Sequence, residues 1–189
     1  MAIDVHPGEL HRLTIGEYHQ LVRAGGLDED TRVELLDGLL VDMSPKTPQH
    51  ENAVAWLADW LRDRVDRARQ QVRVSSPLTI GGSEPEPDLA VVATPSPRDA
   101  HPATAQFVIE VSHSSLRRDL HEKPALYALG GVGEYWVVDL DGRRVVRHSD
   151  PHDGAYGEVT EYGPDATLPA TGIDPDGLPV AALLDAIGL

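Results

Sequence analysis

The stretch "FVIEVSHSSLRRDLHEK", residues 107–123, begins as a buried strand and then stops behaving like one. Phe107, Val108, Ile109 and Val111 form an apolar run with Glu110 in its middle. A carboxylate there either sits on a solvated face or is buried with a partner or a metal. The stretch ends at Lys123, one of only two lysines in the chain. Beyond the strand, "LHEKPALYALGG" (120–131) reads as a helix closing on a double glycine. "EYWVVDLDGRRVVRH" (134–148) then reads as a hairpin around Asp141-Gly142. Strand, helix and hairpin in that order point to a sheet with helical cover.

The pattern extends in both directions. Upstream, "QVRVSSPLTI" (71–80) and "EPEPDLAVVA" (84–93) read as strands, and Asp88 stands directly before the apolar run of the second. Consecutive strands pair about two-thirds of the time, which would set Asp88 beside Glu110. A long helix starts near Pro48, with Ala53, Trp56, Leu57, Trp60, Leu61, Val65 and Ala68 at helical spacing. Its other face, with Asp59, Arg62, Asp63, Arg67 and Arg69, reads as solvated and self-paired. "VELLDGLLVDM" (33–43) is two short strands around Asp37-Gly38, and Thr14 with Glu17 forms a capping box for a short helix that stops at Gly25-Gly26. Residues 149–178 are rich in Gly, Pro and Asp, with one further strand near "GEVTEYG"; Leu178 to Ile187 reads as a terminal helix. The expected architecture is α/β (α+β), a mixed sheet flanked by helices. It comprises a leader at 1–12 and one domain over 13–189, with an acidic C-terminal extension from about 149.

Composition narrows the function. Without cysteine, disulfides and thiolate metal sites are excluded. No stretch approaches a membrane span and the N-terminus has no cationic, apolar start, so a cytoplasmic location and no membrane partner are expected. The net charge of -15 speaks against a nonspecific nucleic-acid binder. The acidity is uneven, however. Residues 149–189 hold eight acidic and no basic residues, whereas 107–148 hold six of each, so a locally cationic surface around Glu110 remains compatible with the total.

Two carboxylates side by side repel, and a divalent cation relieves the repulsion. Mg²⁺, with Mn²⁺ as a substitute, suits a site of few carboxylates and several exchangeable waters. Lys123 adds a point charge for a developing oxyanion. Asp, Glu and Lys together suffice for metal-assisted phosphodiester hydrolysis. Each residue alone also has an ordinary explanation: Asp88 as a turn cap, Glu110 on a wet sheet face, Lys123 on the surface. Asp119 reads first as a helix cap and second as a support for the lysine, and Tyr127, Tyr135 and Trp136 read as core. The serines at 112, 114 and 115 lack the Gly-x-Ser-x-Gly elbow of a serine hydrolase.

"PDLAVV", "FVIEVSHSS", "RRDLHEKPALYALGGVGEYWVVD" and "VELLDGLLVDMSP" resemble the Uma-type family of restriction endonucleases, a branch of the PD-(D/E)XK nuclease superfamily, over about Leu13 to Arg147. The resemblance implies a restriction-endonuclease-like core with Asp88 and Glu110 as metal ligands. In the superfamily's usual motif the lysine lies two positions after the acid; here that slot is Ser112, and Lys123 matches the lysine moved to the next helix. Glu34 corresponds to an N-terminal acidic position that completes the metal shell or orients a water, although a hairpin acid can also pair with an arginine. His50 matches a histidine at the start of the long helix. Pro124 directly follows Lys123 and is tolerated only in a helix's first turn.

The expectation is a Mg²⁺-dependent DNA endonuclease, acting as a homodimer because two equal sites cut two strands under two-fold symmetry. The alternative is a catalytically silent nuclease-fold protein serving in binding or regulation.

Overall fold

The computed structural model describes residues 10–28 and 30–189. Helix α1 (Ile15–Arg23) leads into the hairpin β1 (Val33–Leu36) and β2 (Leu39–Asp42), followed by α2 (Pro48–Arg62). Strands β3 (Gln70–Val74), β4 (Leu89–Ala93) and β5 (Phe107–Ser112) precede a crossover of two short helices, α3 (Leu116–His121) and α4 (Lys123–Leu129). Then come β6 (Glu134–Asp139), β7 (Arg144–His152), β8 (Ala155–Tyr162), the pair β9 (Thr167–Ala170) and β10 (Asp174–Pro179), and α5 (Val180–Ala186). Six strands form one mixed sheet in chain order, β3 to β8. Only β5 and β6 run parallel, because only they are joined by a helical crossover rather than a reversal.

Alternation along the central strands divides the core in two. Leu89, Val91, Phe107, Ile109, Val111, Trp136 and Val138 face α2, α5 and the β9–β10 pair. Ala90, Val92, Val108, Tyr135 and Val137 face the other way, against Tyr127 and the crossover residues Leu116, Leu120 and Leu126. The two-residue period therefore sends Glu110, two after Val108, toward the crossover helices and not into water.

Local chemistry explains most of the elements. The Thr14–Glu17 capping box closes in both directions at the start of α1. Asp37 and Gly38, with φ of 47° and 75°, give the doubly left-handed turn that matches strand twist. Thr47 caps α2 and Pro48 opens it, where a missing N–H costs nothing. Of the leader expected over 1–12, residues 1–9 lie outside the described residues. Arg12 is fixed, its guanidinium 2.7 Å from the Asp37 carboxylate.

Three expectations need correction. The helix anticipated over 120–131 is split at Glu122, because Pro124 falls in the first turn of a new helix and cannot continue the old one. The strand expected over 71–80 pairs only as far as Val74; beyond it Ser75, at φ 42°, takes the chain out of the sheet. The acidic region from about 149 is no appendage: it completes β7, supplies β8 to β10 and α5, and buries Leu168, Leu178, Val180, Leu183 and Leu184 against α2.

Candidate active site

The antiparallel register Leu89↔Ile109 and Ala90↔Val108 continues to set Asp88 opposite Glu110. The Val111 N–H donates to Asp88 Oδ2 at 2.8 Å, and His50 Nε2 lies 3.0 Å from the same oxygen. His50 is delivered by the first turn of α2, whose N-cap Thr47 accepts its backbone N–H. Asp88 is thus held from both sides through Oδ2, leaving Oδ1 with no protein partner among the described residues.

Lys123 reaches the same place from the first residue of α4. Its ammonium lies 2.8 Å from Glu110 Oε1, 3.2 Å from Glu34 Oε2 and 3.6 Å from Asp119 Oδ1. Lys123 and Glu110 are only 5% and 4% exposed, so this is a buried charge cluster and not a surface pair. The Tyr127 hydroxyl donates to Glu110 Oε1 at 2.7 Å, which leaves Oε2 without a protein partner among the described residues. Ser112 Oγ donates to Asp119 Oδ2 at 2.7 Å, and Arg118 lies 3.4 Å from Glu34 Oε1.

Burial pushes the Glu110 carboxyl up to about 8; Lys123 pulls against that, while Asp119, Asp88 and Glu34 add to it. For Lys123 burial acts downward, but Glu110, Glu34 and Asp119 outweigh it and raise the ammonium above its ordinary value. Burial and then Glu110 raise Tyr127 well above the usual phenol, so it stays a neutral donor.

All five residues singled out in the sequence, Glu34, His50, Asp88, Glu110 and Lys123, line one cleft. Sequence reasoning missed Tyr127 and Arg118, and placed Asp119 beside the lysine only as the second choice after a helix cap. Asp119 makes no cap: it is buried and turned into the cluster. Its spacing of four from Lys123, and that of Tyr127, was the available signal, since such residues share a helix face. Nothing in the sequence marked Arg118.

Carboxylate oxygens are the right donors for a hard divalent ion. Asp88 Oδ1 and Glu110 Oε2 fit that role, and Mg²⁺ needs only one or two carboxylates beside its waters. A three-ligand set is not brought together. Among the described residues no three His, Asp or Glu side chains are arranged around a common metal position. Glu34, anticipated as the third ligand, commits one oxygen to Lys123 and the other to Arg118.

A mixed sheet with a parallel step at its centre, and an Asp, a Glu and a Lys gathered where that step begins, is the core of a restriction-endonuclease-like protein. The chain belongs to the Uma2 family, described as "Putative restriction endonuclease", whose model matches residues 15–181. Among solved structures it is similar to a "putative nuclease belonging to DUF820" from Anabaena variabilis, with a TM-score of 0.71, 16% identity, and 93% of this chain and 99% of that one covered. Identity at that level speaks for the fold. No curated protein shows significant similarity to the chain.

Proposed function

We propose that the protein is a cytoplasmic, divalent-metal-dependent DNA endonuclease that hydrolyses phosphodiester bonds, working as a homodimer with one cleft per strand. The observation that carries this reading is the buried Glu110–Lys123 pair at 2.8 Å beside Asp88. Glu110, held high by burial in the empty site, would give up its proton on binding a metal; Glu34, Asp88, Glu110 and Asp119 then oppose only Lys123 and Arg118, a deficit that one divalent ion closes. Asp88 and Glu110 would hold Mg²⁺ or Mn²⁺, which when bound polarises the attacked phosphate and a water. His50 and the Val111 N–H orient Asp88; Tyr127 orients Glu110. Glu34 and Asp119 hold the Lys123 ammonium toward the cleft, where it stabilises the charge that grows on the phosphate as water attacks. Among the described residues no helix is long and apolar enough to cross a membrane.

The test is nicking of a supercoiled plasmid with Mg²⁺ or Mn²⁺, alongside calorimetry of the metal alone. Glu110→Gln and Asp88→Asn should lose both metal binding and cleavage. Metal bound in stoichiometric amount without any cleavage would leave the second reading, a nuclease-fold protein that binds and does not cut, which the net charge of -15 favours. Size and shape in solution, read by light scattering, decide the homodimer.

A further inference from the structure

The chain has two lysines, Lys46 and Lys123, and both line the same cleft. Lys123 is taken up by three carboxylates at the floor. Lys46 is not. It lies half-buried on the segment between β2 and α2, and its ammonium donates to a neutral partner, Ser75 Oγ, at 2.9 Å. Two of its three donors are left over. Arg32, which precedes β1 and lines the same cleft, makes no side-chain hydrogen bond or ion pair among the described residues. Among the described residues neither Lys46 nor Arg32 pairs with an acid, although the chain has 31 acids against 16 lysines and arginines, and the two share one opening. Glu86, also in the lining, is beyond ion-pair distance of both; burial raises its carboxyl, against the pull of Lys46 and Arg32. The N-terminus of α2 follows Lys46 directly, and its dipole adds to the positive field there.

We infer that Lys46 and Arg32 form a grip for the backbone phosphates of duplex DNA, holding those next to the phosphate that reaches Glu110 and Lys123. This rests on the cleft being a nucleic-acid site and adds which residues hold the strand rather than which act on it. Ser75 fixes the Lys46 ammonium without neutralising it, so a phosphate meets a charge already in position.

The experiment measures binding of a fluorescently labelled duplex to the full chain by anisotropy, across a salt series, with Ca²⁺ in place of Mg²⁺. Each phosphate that a variant no longer neutralises makes the slope of log affinity against log salt shallower by about 0.9. Lys46→Ala and Arg32→Ala should each remove about that much, and the double variant about twice as much. Lys46→Arg should keep the wild-type slope. Arg98→Ala is the control: it removes the same charge from the β4–β5 loop, at the far end of those strands from Asp88, and should change nothing. A double variant with the wild-type slope overturns the grip while leaving the nuclease reading intact. A loss in Arg98→Ala equal to that in Lys46→Ala also overturns it, because net charge alone would then be read. No salt-dependent binding by the wild type overturns both readings. The expected slopes without cleavage in Mg²⁺ or Mn²⁺ uphold the grip and overturn only the cutting.

Discussion

Lys123 is buried only because three carboxylates surround it, and they in turn depend on it. Lys123→Ala should therefore destabilise the metal-free protein by about 3–5 kcal/mol, the usual result of breaking a buried pair from one side. It should also slow cleavage roughly 10²–10³-fold, as for loss of one oxyanion donor. Urea denaturation checks the first and plasmid nicking the second; an alanine variant as stable and fast as wild type would make the cluster incidental. His148 supplies a different test. It is buried beside the rings of Tyr135 and Tyr156, and its Nδ1 has no partner among the described residues. Burial lowers its pKa, against a hydrogen bond with the Tyr135 backbone that raises it. The unfolded chain then binds the proton more readily, so this contribution to stability is full above about pH 6.5 and is lost as pH falls below it. His148→Phe should flatten that part of the acid decline, and unchanged urea midpoints between pH 7.5 and 5 relative to wild type would exclude the effect. At this scale the sequence showed which side chains were out of place: an acid in an apolar strand and a rare lysine soon after it. It ranked Asp119 as a cap ahead of a support for the lysine and gave Tyr127 only a core reading, and only the third dimension displaces those ordinary readings.

The β1–β2 hairpin carries Glu34 to Lys123, so its turn is part of the site's support. Gly38 has φ 75°, and an added Cβ would meet Arg12 Cβ at 2.6 Å and Leu13 O at 3.0 Å. Both the backbone conformation and the space exclude a side chain. Gly38→Ala should cost about 1–3 kcal/mol and reduce cleavage more than an equally destabilising change in α5 does. Equal losses from the two would mean that only global stability is felt. This hairpin was readable because Asp-Gly has one common use between apolar runs. The crossover was readable as helical but not as two helices, since Pro124 is equally compatible with a first turn or a break. Strands β9 and β10 escaped notice altogether. "DPDGLP" has neither alternation nor β-branched residues, and tertiary packing of Leu168 and Leu178 makes it a strand.

The acidic surplus of the whole chain invites the thought that its last forty residues could be removed to favour DNA. The packing denies this. Removing residues 164–189 would strip Leu168, Leu178, Val180, Leu183 and Leu184 from the face of α2. Losses of about 2–5 kcal/mol for each large core side chain together match or exceed the roughly 5–15 kcal/mol available to a domain. The truncated chain should lose its cooperative thermal transition by circular dichroism, and a sharp transition would show the core to be closed without it. Where those acids stand has its own consequence. Strand β8 is the last in the sheet, with nothing paired to its outer side among the described residues, and Val159 on it is exposed. Such a flank invites edge-to-edge joining of one copy to another. Glu158 and Glu161, both largely exposed on that strand and within ion-pair reach of Arg147 and Arg144, make that flank charged rather than apolar. Some of the negative charge that counts against DNA binding thus works against the merging of two sheets into a continuous ribbon.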